Sequence, residues 1–241
     1  MTQLPLATLT LRGIQQGFFR MLPLATFVVM FGVAFGVAAA QKGLSGFEIL
    51  FMSGIVFAGA AQFAALDLWQ PEVAVLSLVM VTFAVNSRHL LMSASLYPWL
   101  RHLPARQRYL SLVLLSDANW AMSYADHQKG VRDVGILVGG GMALWLTWMV
   151  GTVGGVLLGS GFSEPSRYGL DVIMSCFLLA MIISGEPQRH LFLPWAIAAA
   201  VAVLGYYTLP ANLHVIFGAL AGGLAGVLLG GESTVKKEDA V

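Results

Sequence analysis

From Leu22 to Ala40 the chain carries no charged residue, and apolar runs of this length recur along it. An α-helix needs about 20 predominantly apolar residues to cross the hydrocarbon of a bilayer. Composition agrees: of 241 residues 58% are hydrophobic and only 10% charged, with mean hydropathy +0.79. A soluble domain has roughly 25% charged residues, so most of this surface faces something other than water. A β-barrel would need short alternating segments, whereas these runs are continuous. The fold class is therefore an all-α polytopic membrane protein.

The same composition excludes several functions. A net charge of +1 offers no electrostatic capture of nucleic acid. The single cysteine, Cys176, lies in an apolar run and can form no internal disulfide; it reads as a small buried residue. His89 with His102, and His190 with His214, lack metal-ligand spacing, and no phosphate loop or dinucleotide fingerprint occurs. No cofactor is implied. Ala38-Ala39-Ala40 resembles a signal-peptidase site, but the apolar run before it is too long for a signal core and reads as an uncleaved first span.

Residues 8 to 20 place Leu11, Ile14, Phe18 and Phe19 at helical spacing beside Arg12 and Arg20, which predicts a short interfacial helix leading into a span over Leu22 to Ala40. Gly32 and Gly36 in that span permit close helix contact. Ser45 followed by Glu48 reads as a capping box at the start of a second span, Phe47 to Trp69. The surrounding Gly-x-Ser-Gly string also resembles the nucleophile motif of rhomboid-type proteases, with His190 or His214 as partner; the cap accounts for the serine without chemistry. The small residues at Phe57 to Phe63 allow another helix to approach, and Gln62 suits a helix-helix hydrogen bond more readily than a ligand.

Only about fifteen apolar residues, Pro71 to Val85, precede Asn86-Ser87-Arg88-His89, and Leu90 to Leu100 follows. Residues 71–100 therefore form either a broken span or a re-entrant hairpin with Asn86 to His89 at its tip. Charge favours the hairpin. Arg101, Arg106 and Arg108 make the densest basic loop, and two spans plus a hairpin return it to the side of Arg12 and Arg20, the cytoplasm by the positive-inside rule. Residues 109 to 125 are irregular, with Asp117 and Asn119, and four firmer spans follow at about 135–158, 169–185, 191–208 and 213–230. The total is six to eight membrane segments with both termini cytoplasmic. Residues 1–231 read as one transmembrane domain, 1–21 being interfacial, and 232–241 as a disordered tail.

Met30 to Val37 matches Met149 to Val156 at Met, Gly and Val positions, and Met52-Ser53 recurs as Met174-Ser175, which points to an internal repeat of the kind secondary transporters use. Gly218, Gly222, Gly226 and Gly230 share a helix face that suits a neighbouring helix, inside the chain or in a partner.

Polar and ionisable groups in membrane-length segments are costly and usually mark a site. Here they are Gln62, Asn86, Arg88, His89, Asp117 and Asn119. Amino-acid transport needs a cation for the carboxylate, an acceptor for the ammonium and apolar walls. Arg88 with Asn86 suits the first, Asp117 with Asn119 the second, and Phe57, Phe63, Phe83, Met92 and Trp120 the walls. The other reading is that Arg88 and Asp117 pair and fix the fold. Asp117, assisted by His89, is the candidate proton carrier.

These residues carry a resemblance. Phe57-Ala-Gly-Ala-Ala-Gln62-Phe63, Asn86-Ser-Arg88-His89-Leu-Leu, Ser93-x-Ser95-Leu96-x-Pro98, Leu115-Ser-Asp117 and Leu170-Asp171 are similar to the AzlC family, large subunits of branched-chain amino-acid exporters. The family often has Asp-Glu where this chain has Asp117-Ala118, so a role needing adjacent carboxyls does not carry over. The resemblance implies efflux of valine, leucine, isoleucine and methionine across a bacterial inner membrane, driven by an ion gradient, with a small AzlD-type partner. A passive channel or facilitator is the alternative function.

Overall fold

The computed structural model describes residues 7–69, 75–159, 192–209 and 213–230. The expectations for the 169–185 span, Cys176, His190, Leu170-Asp171, Met174-Ser175 and the 232–241 tail lie outside them. The chain divides into two compact units, Met1–Met174 and Ser175–Val241.

The first unit is built on two long helices, α1 (Leu11–Gln41) and α8 (Gly135–Gly159), the two described helices long and apolar enough to cross a membrane. They run in parallel. Asp133 fixes their common start: its Oδ1 accepts from Thr10 N at 3.1 Å and Gly135 N at 2.9 Å, and its other oxygen takes the Thr10 hydroxyl proton. One carboxylate thus satisfies donors at two helix N-termini, where negative charge is stabilised by both dipoles. Glycine then lets the backbones meet along their length. A Cβ on Gly32 would lie 2.6 Å from the Trp148 carbonyl oxygen, and one on Gly36 2.5 Å from that of Thr152. Gly32 faces Gly151 and Gly36 faces Gly155 at one constant sequence offset, so the two matching strings are partners in a parallel pair. The surface helix expected at residues 8 to 20 is the first three turns of α1, which continues unbroken through Pro23.

Two short helix pairs enter this frame from opposite ends. The first is α2 (Gly46–Ile55) and α3 (Gly59–Asp67). After the left-handed turn at Gly43 (φ 84°), Ser45 caps α2 with the expected box, its hydroxyl accepting from Glu48 N at 3.3 Å while Glu48 Oε2 accepts from Ser45 N at 2.8 Å. Gly46 lies against Val156, near the C-terminal end of α8. The expected single span over Phe47 to Trp69 is instead interrupted: the helical ladder stops at Val56 N to Met52 O (2.8 Å) and restarts at Gln62 N to Ala58 O (3.0 Å). The chain turns back here. Gln62 Nε2 donates to Ser53 Oγ at 3.1 Å, although nine residues of continuous helix would separate them by roughly 13 Å. Beyond the turn Phe63 contacts Phe31 and then Phe35, so α3 travels toward the C-terminal end of α1, the end from which α2 came.

The second pair is α6 (Ala105–Leu112) and α7 (Asp117–Gln128). Before it, Trp99 Nε1 donates to the Arg132 carbonyl at 3.2 Å, which brings the end of α5 to the start of α8. From there α6 rises until the Leu114 carbonyl meets Gly141, and α7 descends beside α8 to Lys129, four residues before Asp133. The α6–α7 turn meets α8 at Gly141, and the α2–α3 turn meets it further toward the C-terminus, at the indoles of Trp145 and Trp148.

Between the pairs, α4 (Val75–Asn86) and α5 (Arg88–Leu100) are separated only by Ser87. Ser87 keeps helical φ and ψ of −56° and −27°, its N–H bonds Phe83 O, and its carbonyl takes Leu90 N. The chain therefore continues past Asn86 to His89 in a broken helix rather than reversing there; it reverses at Val56 to Ala58 instead.

In the second unit, α9 (Phe192–Thr208) and α10 (Leu213–Gly230) form a helical hairpin. A Cβ on Gly218 would meet Ala202 Cβ at 2.8 Å, and one on Gly222 would meet Ala198 Cβ at 2.6 Å. Gly218 and Gly222 thus pack against α9, and Gly226 sits more loosely against Pro194. Gly230 ends α10. Elsewhere Phe47, Phe51, Ile55, Phe83, Leu90 and Leu91 are exposed, an apolar exterior consistent with a membrane-embedded protein.

Candidate functional site

Asn86, Arg88 and Asp117 come together where α4, α5 and α7 meet. Arg88 Nη2 lies 3.1 Å from Asp117 Oδ2, with side chains 35% and 29% exposed. The break places Arg88 in the first turn of α5, and the turn after α6 places Asp117 in the first turn of α7, where the helix dipole favours its charge. Two neighbouring groups keep unused capacity: Arg88 Nε and Asn86 Oδ1 are buried without a hydrogen-bond partner. His89 Nδ1 lies 3.1 Å from the Asn86 carbonyl, which accepts its proton.

Asn119 is within the same turn but is fully engaged. Its Oδ1 accepts from Ser116 N at 2.7 Å and Oγ at 3.1 Å, and its Nδ2 donates to the carbonyls of Leu114 at 3.0 Å and Leu137 at 3.1 Å. Of the expected walls, Trp120 donates to Ser95 Oγ at 2.8 Å and packs with Met92 in one apolar cluster. Phe57 and Phe63 pack in another cluster, which Ala118 of α7 also joins, whereas Phe83 is exposed.

Gln62 lies at the other turn, 0% exposed. Sequence reasoning missed its partners, Ser53 and Thr152, also 0% exposed. Ser53 Oγ is 3.5 Å from Thr152 Oγ1, and Thr152 Oγ1 donates to the Trp148 carbonyl at 2.9 Å. The proton order follows: Thr152 spends its hydrogen on Trp148, so it accepts from Ser53, which accepts from the Gln62 amide. This chain fixes the amide and leaves Gln62 Oε1 without a donor. Trp148 Nε1 is also buried and unpartnered. The available signal was Ser53 and Thr152 themselves, hydroxyls inside largely apolar helices.

A second missed ion pair joins Arg20 of α1 to buried Asp126 of α7 at 2.6 Å. With Asn119 and Ser123, Asp126 makes the buried face of α7 polar. Among the described residues no group of three or more His, Cys, Asp or Glu could hold a metal ion.

Paired charges and amides within a frame of long apolar helices, entered by half-helices from both ends, define a class: a helical membrane transporter. Residues 23–162 match the model of the AzlC protein family, so the chain belongs to the AzlC family, and it is an AzlC-type transporter rather than an enzyme. It is 28% identical over 211 residues to an uncharacterized membrane protein of Archaeoglobus fulgidus, covering 87% of this chain and 90% of that one. It is 26% identical over 199 residues to the inner membrane protein YgaZ of Escherichia coli, covering 78% and 80%. To the branched-chain amino acid transport protein AzlC of Bacillus subtilis it is 23% identical over 203 residues, covering 81% and 79%. No solved structure matches.

Proposed function

We propose that this transporter exports branched-chain amino acids, valine, leucine, isoleucine and also methionine, across a bacterial inner membrane, driven by an ion gradient and acting as the large subunit beside a small AzlD-type partner. The Arg88–Asp117 pair carries the reading. Its two charges are the complement of a zwitterion: substrate that enters between them replaces each partner, carboxylate to Arg88 and the amide N–H of Asn86, ammonium to Asp117. Because both side chains are a third exposed, opening the pair costs less than breaking a fully buried one. Gln62 belongs to the same pathway on the side of the opposite turn, and Asn119 holds Asp117's turn in register.

Asp117, freed from Arg88, is the proposed proton carrier, with His89 one turn from the break assisting. Arg12, Arg20, Arg101, Arg106, Arg108, Lys129 and Arg132 fall in segments at the N-terminal end of α1 and α8, which supports a cytoplasmic N-terminus. The tail with Lys236 and Lys237 is assigned to the same side. The test is counterflow of labelled valine in proteoliposomes, with and without the small subunit and a pH step. Accumulation that follows the proton gradient supports the reading, flux indifferent to any gradient makes the protein a facilitator, and gradient-driven flux that survives Asp117→Asn removes Asp117 from coupling.

A further inference from the structure

We propose that the turn between α2 and α3 is a second substrate subsite, which holds the ammonio-carboxylate group of the amino acid. The proposal rests on the amino-acid reading above. Two independent features meet at this turn, and each is the complement of one half of a zwitterion.

The first is the start of α3. Its N-cap is Ala58, which makes no side-chain cap bond, and its first residues are Gly59, Ala60 and Ala61. The first N–H groups of a helix lack intrahelical partners and sit at the positive end of its dipole. Ladder bonding resumes only at Gln62 N. Small side chains leave these N–H groups open, and residues 56 to 60 are all partly exposed although Ser53 and Gln62 beside them are buried. A carboxylate suits such a terminus.

The second feature is Gln62 Oε1. Side chains on a helix lean toward its N-terminus, so Gln62, in the fourth position of α3, reaches back over the turn to Ser53 in α2. The proton order through Ser53 and Thr152 directs its amide nitrogen away from the free position and leaves the carbonyl oxygen as an unmatched acceptor, 0% exposed. An unmatched buried acceptor destabilises the empty protein and favours a ligand that donates, which an α-ammonium does. Phe31 and Trp148 pack directly against Gly59, where a Cβ would lie 2.9 Å and 3.1 Å from them, so the apolar core closes one side of the turn.

Ala58→Asp tests it, because an aspartate at the N-cap supplies its own carboxylate to the same N–H groups. Binding of L-leucine and of L-leucinol, which lacks the carboxylate, is measured on the purified full chain with its small subunit, alongside Arg88→Gln to separate the contribution of that cation. The wild type is expected to prefer L-leucine by roughly tenfold or more. Ala58→Asp should bring that ratio close to one with melting temperature unchanged or raised, and Ala58→Asn should reduce it partway. Gln62→Leu should weaken L-leucine and L-leucinol alike and leave 4-methylpentanoate, which has no ammonium, unaffected. A wild-type ratio in Ala58→Asp and Ala58→Asn overturns the subsite while leaving the transporter reading intact. A wild type that binds no branched-chain amino acid overturns both.

Discussion

The two helical hairpins that enter the α1–α8 frame are alike in length and opposite in chemistry. At the α6–α7 turn Asn119 Oδ1 accepts from both Ser116 N and Ser116 Oγ, Asn119 uses all its bonding capacity, and Asp117 is paired with Arg88. At the α2–α3 turn the cap is an alanine and Gln62 leaves an acceptor unmatched. At the first turn the backbone and Asn119 are satisfied within the chain, and only the partly exposed Arg88–Asp117 pair has to open for substrate. At the second the start of α3 and Gln62 Oε1 stay unsatisfied until something binds, and each unmatched buried group costs about 1 to 3 kcal/mol.

The comparison can be broken most severely at the ion pair. Arg88→Ala should reduce valine transport to background and lower stability by about 2 kcal/mol, since Asp117 is left without its partner. The exchange Arg88→Asp with Asp117→Arg should restore the melting temperature without restoring transport; recovered transport would mean that the pair only fixes the fold. Asn119→Ala comes next, with an expected loss of about 2 to 3 kcal/mol in thermal unfolding, because Ser116 N and the Leu114 and Leu137 carbonyls lose their partner together. Substrate affinity of the folded fraction should stay unchanged, and a selective affinity loss would move Asn119 into the binding machinery. Ser116→Ala should cost about 1 kcal/mol, the usual value of an N-cap, with transport intact. Gln62→Leu should change stability least, within about 1 kcal/mol, while transport falls. Two buried amides with opposite balances of stability and transport would establish that the hairpins differ in role, and equal destabilisation of both would remove the distinction.

Much of this organisation was legible from residue order. The residues that interrupt apolar runs, Gln62, Asn86, Arg88, Asp117 and Asn119, all lie at or beside a break or turn, because a polar group at membrane depth is tolerated only where partners are built for it. Ser45 and Glu48 announced their capping box, a motif of four consecutive residues. Thr152 and Asp126 were not legible as members of a site, because their partners Ser53 and Arg20 lie 99 and 106 residues away. Nor could spacing tell whether the face of Gly218 and Gly222 awaits a helix of this chain or of another; α9 fills it.

By itself the sequence determined the membrane class and the identity of the polar groups, and the distribution of Arg and Lys pointed to a hairpin between Arg20 and Arg101. Only the tertiary structure decided where. The reversal is at Val56 to Ala58 and the helix runs on past Ser87, because interrupted backbone survives at depth only where other segments answer its freed groups. Gly54's carbonyl takes the indole N–H of Trp145, 91 residues along the chain, and Gln62 reaches Ser53 across the turn. Charge counting depends on each loop's own composition and so survives in the linear sequence, whereas the satisfaction of a broken helix depends on neighbours that exist only once the chain has folded.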